Sequence, residues 1–131
     1  WPQQRIYQVE NRPISFSPSI VASSILTFKP ISNLSVSIQS KYVSKQYIDN
    51  TGDEECIIEP FIVNNIRLDY CIKGKKFDKI NLFVNFNNIF NEYYETNAWV
   101  YRYYEAGNEY KDFGYFPQAT FNVLAGLNFY W

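Results

Sequence analysis

From Gln118 to Trp131 every second residue is apolar. Ala119, Phe121, Val123, Ala125, Leu127, Phe129 and Trp131 share one side, against Gln118, Thr120, Asn122, Leu124, Gly126, Asn128 and Tyr130 on the other. A helical reading from Phe121 would gather Leu124, Ala125 and Asn128 on one face, so the strand period holds where the helix period fails. The stretch is predicted to be a strand, one that closes on an aromatic ring.

The same alternation marks four earlier segments. From Ser19, Ile20, Ala22, Ser24, Leu26 and Phe28 line one face and Val21, Ser23, Ile25 and Thr27 the other, up to a turn over Lys29 to Asn33. A second strand runs from Leu34 to about Tyr47, with Leu34, Val36, Ile38 and Tyr42 opposite Ser35, Ser37, Gln39 and Lys41. A third spans Phe61 to Ile72, where Ile62, Ile66, Leu68, Tyr70 and Ile72 share a face broken only by Asn64. The fourth runs from Ile80 to about Phe90, with Phe83 the lone apolar residue among Asn81, Asn85 and Asn87. Trp1 to Pro18, with its three prolines, reads as a loop holding a short extended piece at Ile14 to Phe16.

Five strands with no helix between them, joined by connections that run short, long, short, long, describe an all-β antiparallel up-and-down meander. The long connections are Ile48 to Pro60 and Asn91 to Pro117, both predicted to be loops; the short ones are Lys29 to Asn33 and a basic turn from Lys73 to Lys76. The carboxylates Asp49, Asp53, Glu54, Glu55 and Glu59 lack the spacing of a calcium loop, which favours a solvated acidic connection over a cation site.

Composition narrows the function classes. Aromatics make up 20% of the 131 residues, a strand-former's composition, and the net charge of -1 offers no polycationic surface for nucleic acid. Without histidine there is no imidazole base. No nucleophile motif, phosphate-binding glycine loop or metal-ligand spacing is present, so neither an enzyme nor a cofactor is expected. No apolar run reaches the length of a membrane helix, and no signal peptide is expected at Trp1 to Arg5. Cys71 would lie roughly 30 Å along its strand from the loop carrying Cys56, beyond disulfide reach, so both are expected as free thiols.

Alternation alone leaves two orientations open: an apolar interior, as in a small soluble antiparallel barrel that binds a hydrophobic ligand, or an apolar exterior facing lipid. The opposite face is rich in Ser, Asn, Gln and Thr but poor in alternating Lys and Glu, which suits a wet lumen. Aromatics gather near predicted strand ends, at Tyr42, Tyr47, Tyr70, Phe90, Tyr93, Phe129 and Trp131, as interfacial girdles require. The lipid-facing reading is preferred.

Particular residues carry a resemblance. Val84-Asn85-Phe86-Asn87-Asn88-Ile89-Phe90-Asn91-Glu92-Tyr93-Tyr94 resembles the penultimate strand of TonB-dependent outer-membrane receptors, which closes on an Asn-Leu-Phe-Asn type motif followed by Tyr. Tyr115-Phe116-Pro117-Gln118-Ala119 is similar to the segment opening their last strand. Phe121, Val123, Leu127, Phe129 and Trp131 resemble the C-terminal insertion signal read by the barrel-assembly machinery, with Trp in place of the commoner Phe. Ser17-Pro18-Ser19 and Leu34 to Lys45 fit the Bacteroidota type of receptor.

The resemblance covers nearly the whole chain but only the C-terminal end of the family. It implies a transmembrane β-barrel of about 22 strands in the cell outer membrane. The plug domain and N-terminal strands would lie outside this sequence, in a cleaved, split or truncated receptor. The implied partners are that remainder, the TonB complex reached through it, outer-membrane lipid and a surface lipoprotein. The implied activity is uptake of a bulky nutrient: siderophore, haem, cobalamin, glycan or peptide. On this reading Asn91 to Pro117 is an extracellular loop, with Trp99, Tyr101, Arg102, Tyr103, Tyr104 and Tyr110 as the candidate ligand-binding residues. The competing reading is that these rings pack the loop on itself or join the upper girdle. Arg67 and Asp69 read as a salt bridge in the lumen wall.

Overall fold

The computed structural model describes residues 10–131, so the first half of the predicted Trp1 to Pro18 loop lies outside the described residues. These residues form β1 (Val21–Ile31), β2 (Leu34–Val43), β3 (Gln46–Tyr47), β4 (Ile57–Ile58), β5 (Phe61–Ile72), β6 (Lys79–Asn87), β7 (Glu95–Glu105), β8 (Asn108–Pro117) and β9 (Asn122–Tyr130), with no helix. The chain is all-β. The five long strands read from the sequence form one antiparallel sheet in the order β1-β2-β5-β6-β9. Consecutive members are neighbours, and among the described residues the sheet is open: β1 and β9 each pair on one side only.

Register carries the alternation of single strands into rows across the sheet. Phe28, Val36, Leu68, Val84 and Ala125 form one row, and Leu26, Ile38, Ile66, Phe86 and Val123 the next. On the reverse face the corresponding row is Thr27, Ser37, Arg67, Asn85 and Leu124. There the Thr27 and Ser37 hydroxyls lie 3.0 Å apart. Arg67 donates to both carboxylate oxygens of Asp69 at 2.7 and 2.8 Å and lies 4.7 Å above the Phe83 ring. Phe83 is accommodated on this polar face because it pairs with Gly126, where an added Cβ would come within 2.5 Å of the ring.

Several boundaries differ from the sequence reading, each for a local reason. β1 begins at Val21 and runs through Pro30 to Ile31. An edge strand with a register shift between Phe28 and Ile31 tolerates the missing N–H. β2 stops at Val43 because Ser44 turns to the chain before β1: its N–H donates to the Ile20 carbonyl, and its hydroxyl accepts from Ile20 N–H, both at 3.0 Å. β6 stops at Asn87 because Asn88 takes a positive φ of 50°, and Asn91 follows at 56°. β9 starts at Asn122 rather than Gln118. The Gln118 N–H donates to the Tyr94 carbonyl and the Phe121 N–H to Asn91 Oδ1, which anchors this stretch to the preceding connection instead of to β6.

The principal correction concerns Asn91 to Pro117, which is not a loop. It folds as a hairpin of β7 and β8 joined by Ala106 and Gly107, both at positive φ, the tight turn that matches strand twist. Gln46 and Tyr47, read as the end of the second strand, instead form β3 and pair with β4 inside Ile48 to Pro60, a short ladder that closes this connection. These two connections meet at one end of the sheet and bury Ile48, Cys56, Ile58 and Ala98 together, with Val100 against them. This buried cluster therefore lies in the long connections; among the described residues the sheet adds only Val43 and Phe61, at its adjoining end, to the buried hydrophobic core. Both cysteines are free.

Candidate functional site

Strand alternation splits the β7–β8 hairpin into an attached face and a free one. Ala98, Val100 and Arg102 on β7, with Tyr115 and Lys111 on β8, share the face turned to the β3–β4 segment; the Tyr115 hydroxyl donates to the Ile57 carbonyl at 3.0 Å. Trp99, Tyr101 and Tyr103, with Tyr110 opposite Tyr103, share the other.

Arg102 ties the two connections together. Nε donates to Asp49 Oδ2 at 2.8 Å, Nη2 to Asp53 Oδ2 at 2.8 Å and to Thr51 Oγ1 at 3.2 Å, and Nη1 to Glu109 Oε1 at 3.1 Å. Lys111 adds ion pairs to Asp53, at 2.9 Å, and to Glu55. Hydrogen bonds from Lys111 and Arg102 hold the Asp53 carboxyl far below the usual carboxylate range. Burial pushes Asp49 up, but hydrogen bonds from Thr51 and Arg102 outweigh it and leave that carboxyl lowered as well. Burial raises the Cys56 thiol beside them. Asp49 and Asp53 are therefore ion-paired acids rather than solvated ones, while Glu54, paired with Lys45, stays largely in water. Among the described residues no cluster of His, Cys, Asp or Glu could hold a metal ion.

The free face is an aromatic platform. Tyr101 stacks on Tyr103 with ring centroids 5.9 Å apart, and Tyr103 on Tyr110 at 5.3 Å. Trp99 lies over Gly114, where a Cβ would stand 2.7 Å from its indole nitrogen. These rings remain 37–62% exposed, enough to offer contact area to a ligand. Of the six residues named from the sequence, Trp99, Tyr101, Tyr103 and Tyr110 are thus brought together. Arg102 and Tyr104 lie on the opposite face, and Arg102 is committed to three carboxylates. The pairing also puts Asn97 and its partner Phe116, and Asp112 opposite Tyr101, on the platform face, none of which the sequence reading named as ligand-binding.

Beneath the hairpin the β6 end is knotted by Asn88, which is almost wholly buried. Its Nδ2 donates to the Glu92 and Ala119 carbonyls at 2.8 and 3.3 Å, and its Oδ1 accepts from Glu92 N–H at 2.8 Å. Its own N–H donates to Asn65 Oδ1 at 2.9 Å. The amides of Asn65, Asn87, Gln118 and Asn122 line a shallow recess beside it, together with Tyr94. The residues named as an insertion signal align along one face of β9: Val123, Leu127 and Phe129 pair with Phe86, Leu82 and Ile80, while Phe121 precedes the strand and Trp131 follows it.

No family model, curated protein or solved structure matches this chain.

Proposed function

We propose that this chain is the C-terminal part of the barrel of a Bacteroidota-type TonB-dependent outer-membrane receptor, and that the receptor imports a bulky nutrient. The observation that carries the proposal is a one-layer sheet whose continuous apolar face has no second layer of described residues against it. Leu26, Ile38, Ile62, Val123 and Leu127 on that face are 45–69% exposed. A soluble domain buries such a face; a barrel wall turns it to lipid. The strands are 9 to 12 residues long, the length that crosses a bilayer when tilted. Of the three polar residues in the row Ser24, Ser40 and Asn64 on the apolar face, two satisfy each other, Ser40 donating to Asn64 at 2.6 Å.

The reverse face supplies hydrophilic wall, with Arg67 paired to Asp69. The free edge of β1 joins earlier strands of the barrel and that of β9 joins its first strand, since unpaired edges in hydrocarbon leave N–H and C=O groups unsatisfied. The long connections are extracellular, and the Trp99, Tyr101, Tyr103 and Tyr110 platform meets either the nutrient or a surface lipoprotein lid. The plug and its contact with TonB belong to the remainder of the receptor, and the reading assigns this segment no catalysis.

Native mass spectrometry of detergent-extracted membranes tests the proposal. A co-migrating polypeptide bearing a plug and the other strands, covalently continuous with this chain or separate from it, is the expected result. A 131-residue chain that is monodisperse without detergent overturns it.

A further inference from the structure

The net charge of -1 conceals a separation of charge along the sheet. Of the 13 carboxylates all but Asp69 and Asp78 lie at the end carrying the long connections. Lys29, Lys73, Lys75, Lys76 and Lys79 lie instead in or beside the two short turns. The two groups of cations also differ in their partners. Lys45, Arg102 and Lys111 at the long-connection end are engaged by carboxylates, although Arg12 and Lys41 there are not, whereas among the described residues none of those five lysines has an ion pair.

Beside these lysines stands a cluster of rings. Phe77, packed across Gly74 in the basic turn, lies 5.8 Å from Phe129, which lies 5.8 Å from Trp131. Lys79 Nζ sits 4.5 Å above the Tyr130 ring. Phe129 also ends the apolar face, paired with Ile80. Apolar face, aromatic rings and unpaired ammonium groups thus follow one another in the order of hydrocarbon, interface and headgroup.

We propose that the short-turn end of the sheet docks on the phosphate headgroups of an anionic phospholipid leaflet, with Lys73, Lys75 and Lys76 as the principal contacts and Phe77, Phe129 and Trp131 at the interface. This rests on the barrel reading and adds a lipid class to it. A free phosphate or a nucleic acid would explain the lysines but not their position where a continuous apolar face ends. The acidic long-connection end is held away from the same leaflet by repulsion.

The test uses the detergent-extracted protein with every chain that accompanies it, reconstituted in nanodiscs of phosphatidylcholine with or without phosphatidylglycerol. Lipid retention is read by native mass spectrometry. The wild type is expected to enrich phosphatidylglycerol around itself. The triple variant K73Q/K75Q/K76Q, confined to an exposed turn, is expected to weaken that preference about 100-fold, at about fivefold per lysine near an anionic surface. K73R/K75R/K76R should retain it, and high salt should suppress it in the wild type. Equal preference in the wild type and the glutamine variant overturns the headgroup contact alone. So does competition by millimolar inorganic phosphate or by an oligonucleotide, either of which identifies another source of the phosphate. Failure of the wild type to enter discs of either composition overturns the barrel reading together with it.

Discussion

Replacing Arg102 with leucine keeps most of the side-chain bulk and removes the guanidinium that joins the hairpin to the acidic connection. Asp49, Asp53 and Glu109 each lose an ion pair, at 2.8, 2.8 and 3.1 Å, and Thr51 loses a hydrogen bond. Breaking a fully buried pair on one side costs about 3–5 kcal/mol, because the abandoned charges stay out of water. Arg102, Asp49 and Asp53 are about one-fifth exposed, so solvent relieves part of that penalty. Lys111 also still holds Asp53. About 2–3 kcal/mol remains, confined to the contact between β7–β8 and the β3–β4 segment. Hydrogen exchange read by mass spectrometry on reconstituted protein resolves the two regions separately. Amides of 95–117 should lose about 30- to 150-fold of their protection while those of β2, β5 and β6 keep theirs. R102K, with a point charge in place of the planar fork, should lose an intermediate amount. Unchanged protection of the hairpin in R102L, or equal loss across the whole sheet, would refute the reasoning.

Acid should act on the same contact. The carboxyls of Asp49 and Asp53 are depressed in the folded state, so their stabilisation is fully present above the ordinary value of 3.8 and is lost as pH falls through their lower folded values. Hairpin protection should hold from neutral pH to about pH 4 and fall only below it; loss between pH 7 and 5 would contradict the assignment. Asn88→Ala removes three side-chain hydrogen bonds at a buried residue with positive φ, for a loss of about 2–4 kcal/mol in a urea titration of the folded protein. An Asn88→Gly variant, which keeps the backbone conformation, should recover only a small part of that loss. Gly126→Val drives a side chain into Phe83 and should cost about 1–3 kcal/mol, whereas the double variant with Phe83→Ala should cost less than the two single changes combined.

What the sequence disclosed followed the reach of its signals. β5 is legible at both ends, Phe61 and Ile72, because apolar alternation starts and stops there. Short turns required β1 to pair with β2 and β5 with β6, whereas β2–β5 and β6–β9, joined by long connections, followed only from reading the chain as an up-and-down meander. The β7–β8 hairpin was missed because aromatic or apolar residues occupy both of its faces: Trp99, Tyr101 and Tyr103 on one, and Ala98, Val100, Phe113 and Tyr115 on the other, so no alternation survives. Its turn was signalled only by Gly107. The ion pairs of Arg102 with Asp49 and Asp53 join residues 53 and 49 positions apart, which no local pattern encodes. Asn88 and Asn91 could be read as a motif, but their physical role, positive φ combined with amides that bind the next connection, needed the coordinates.

The central claim is that the apolar face of the sheet meets lipid. Nitroxides placed one at a time from Ile80 to Phe86 on β6, in protein reconstituted in a bilayer, test it by their accessibility to molecular oxygen and to a water-soluble nickel chelate. The account predicts a strict period of two. Oxygen should dominate at Ile80, Leu82, Val84 and Phe86, rising toward the middle of the strand, and the nickel reagent at Asn81, Phe83 and Asn85. Labels at Leu82 and Val84 that neither reagent reaches would mean that protein covers this face, and would contradict the account.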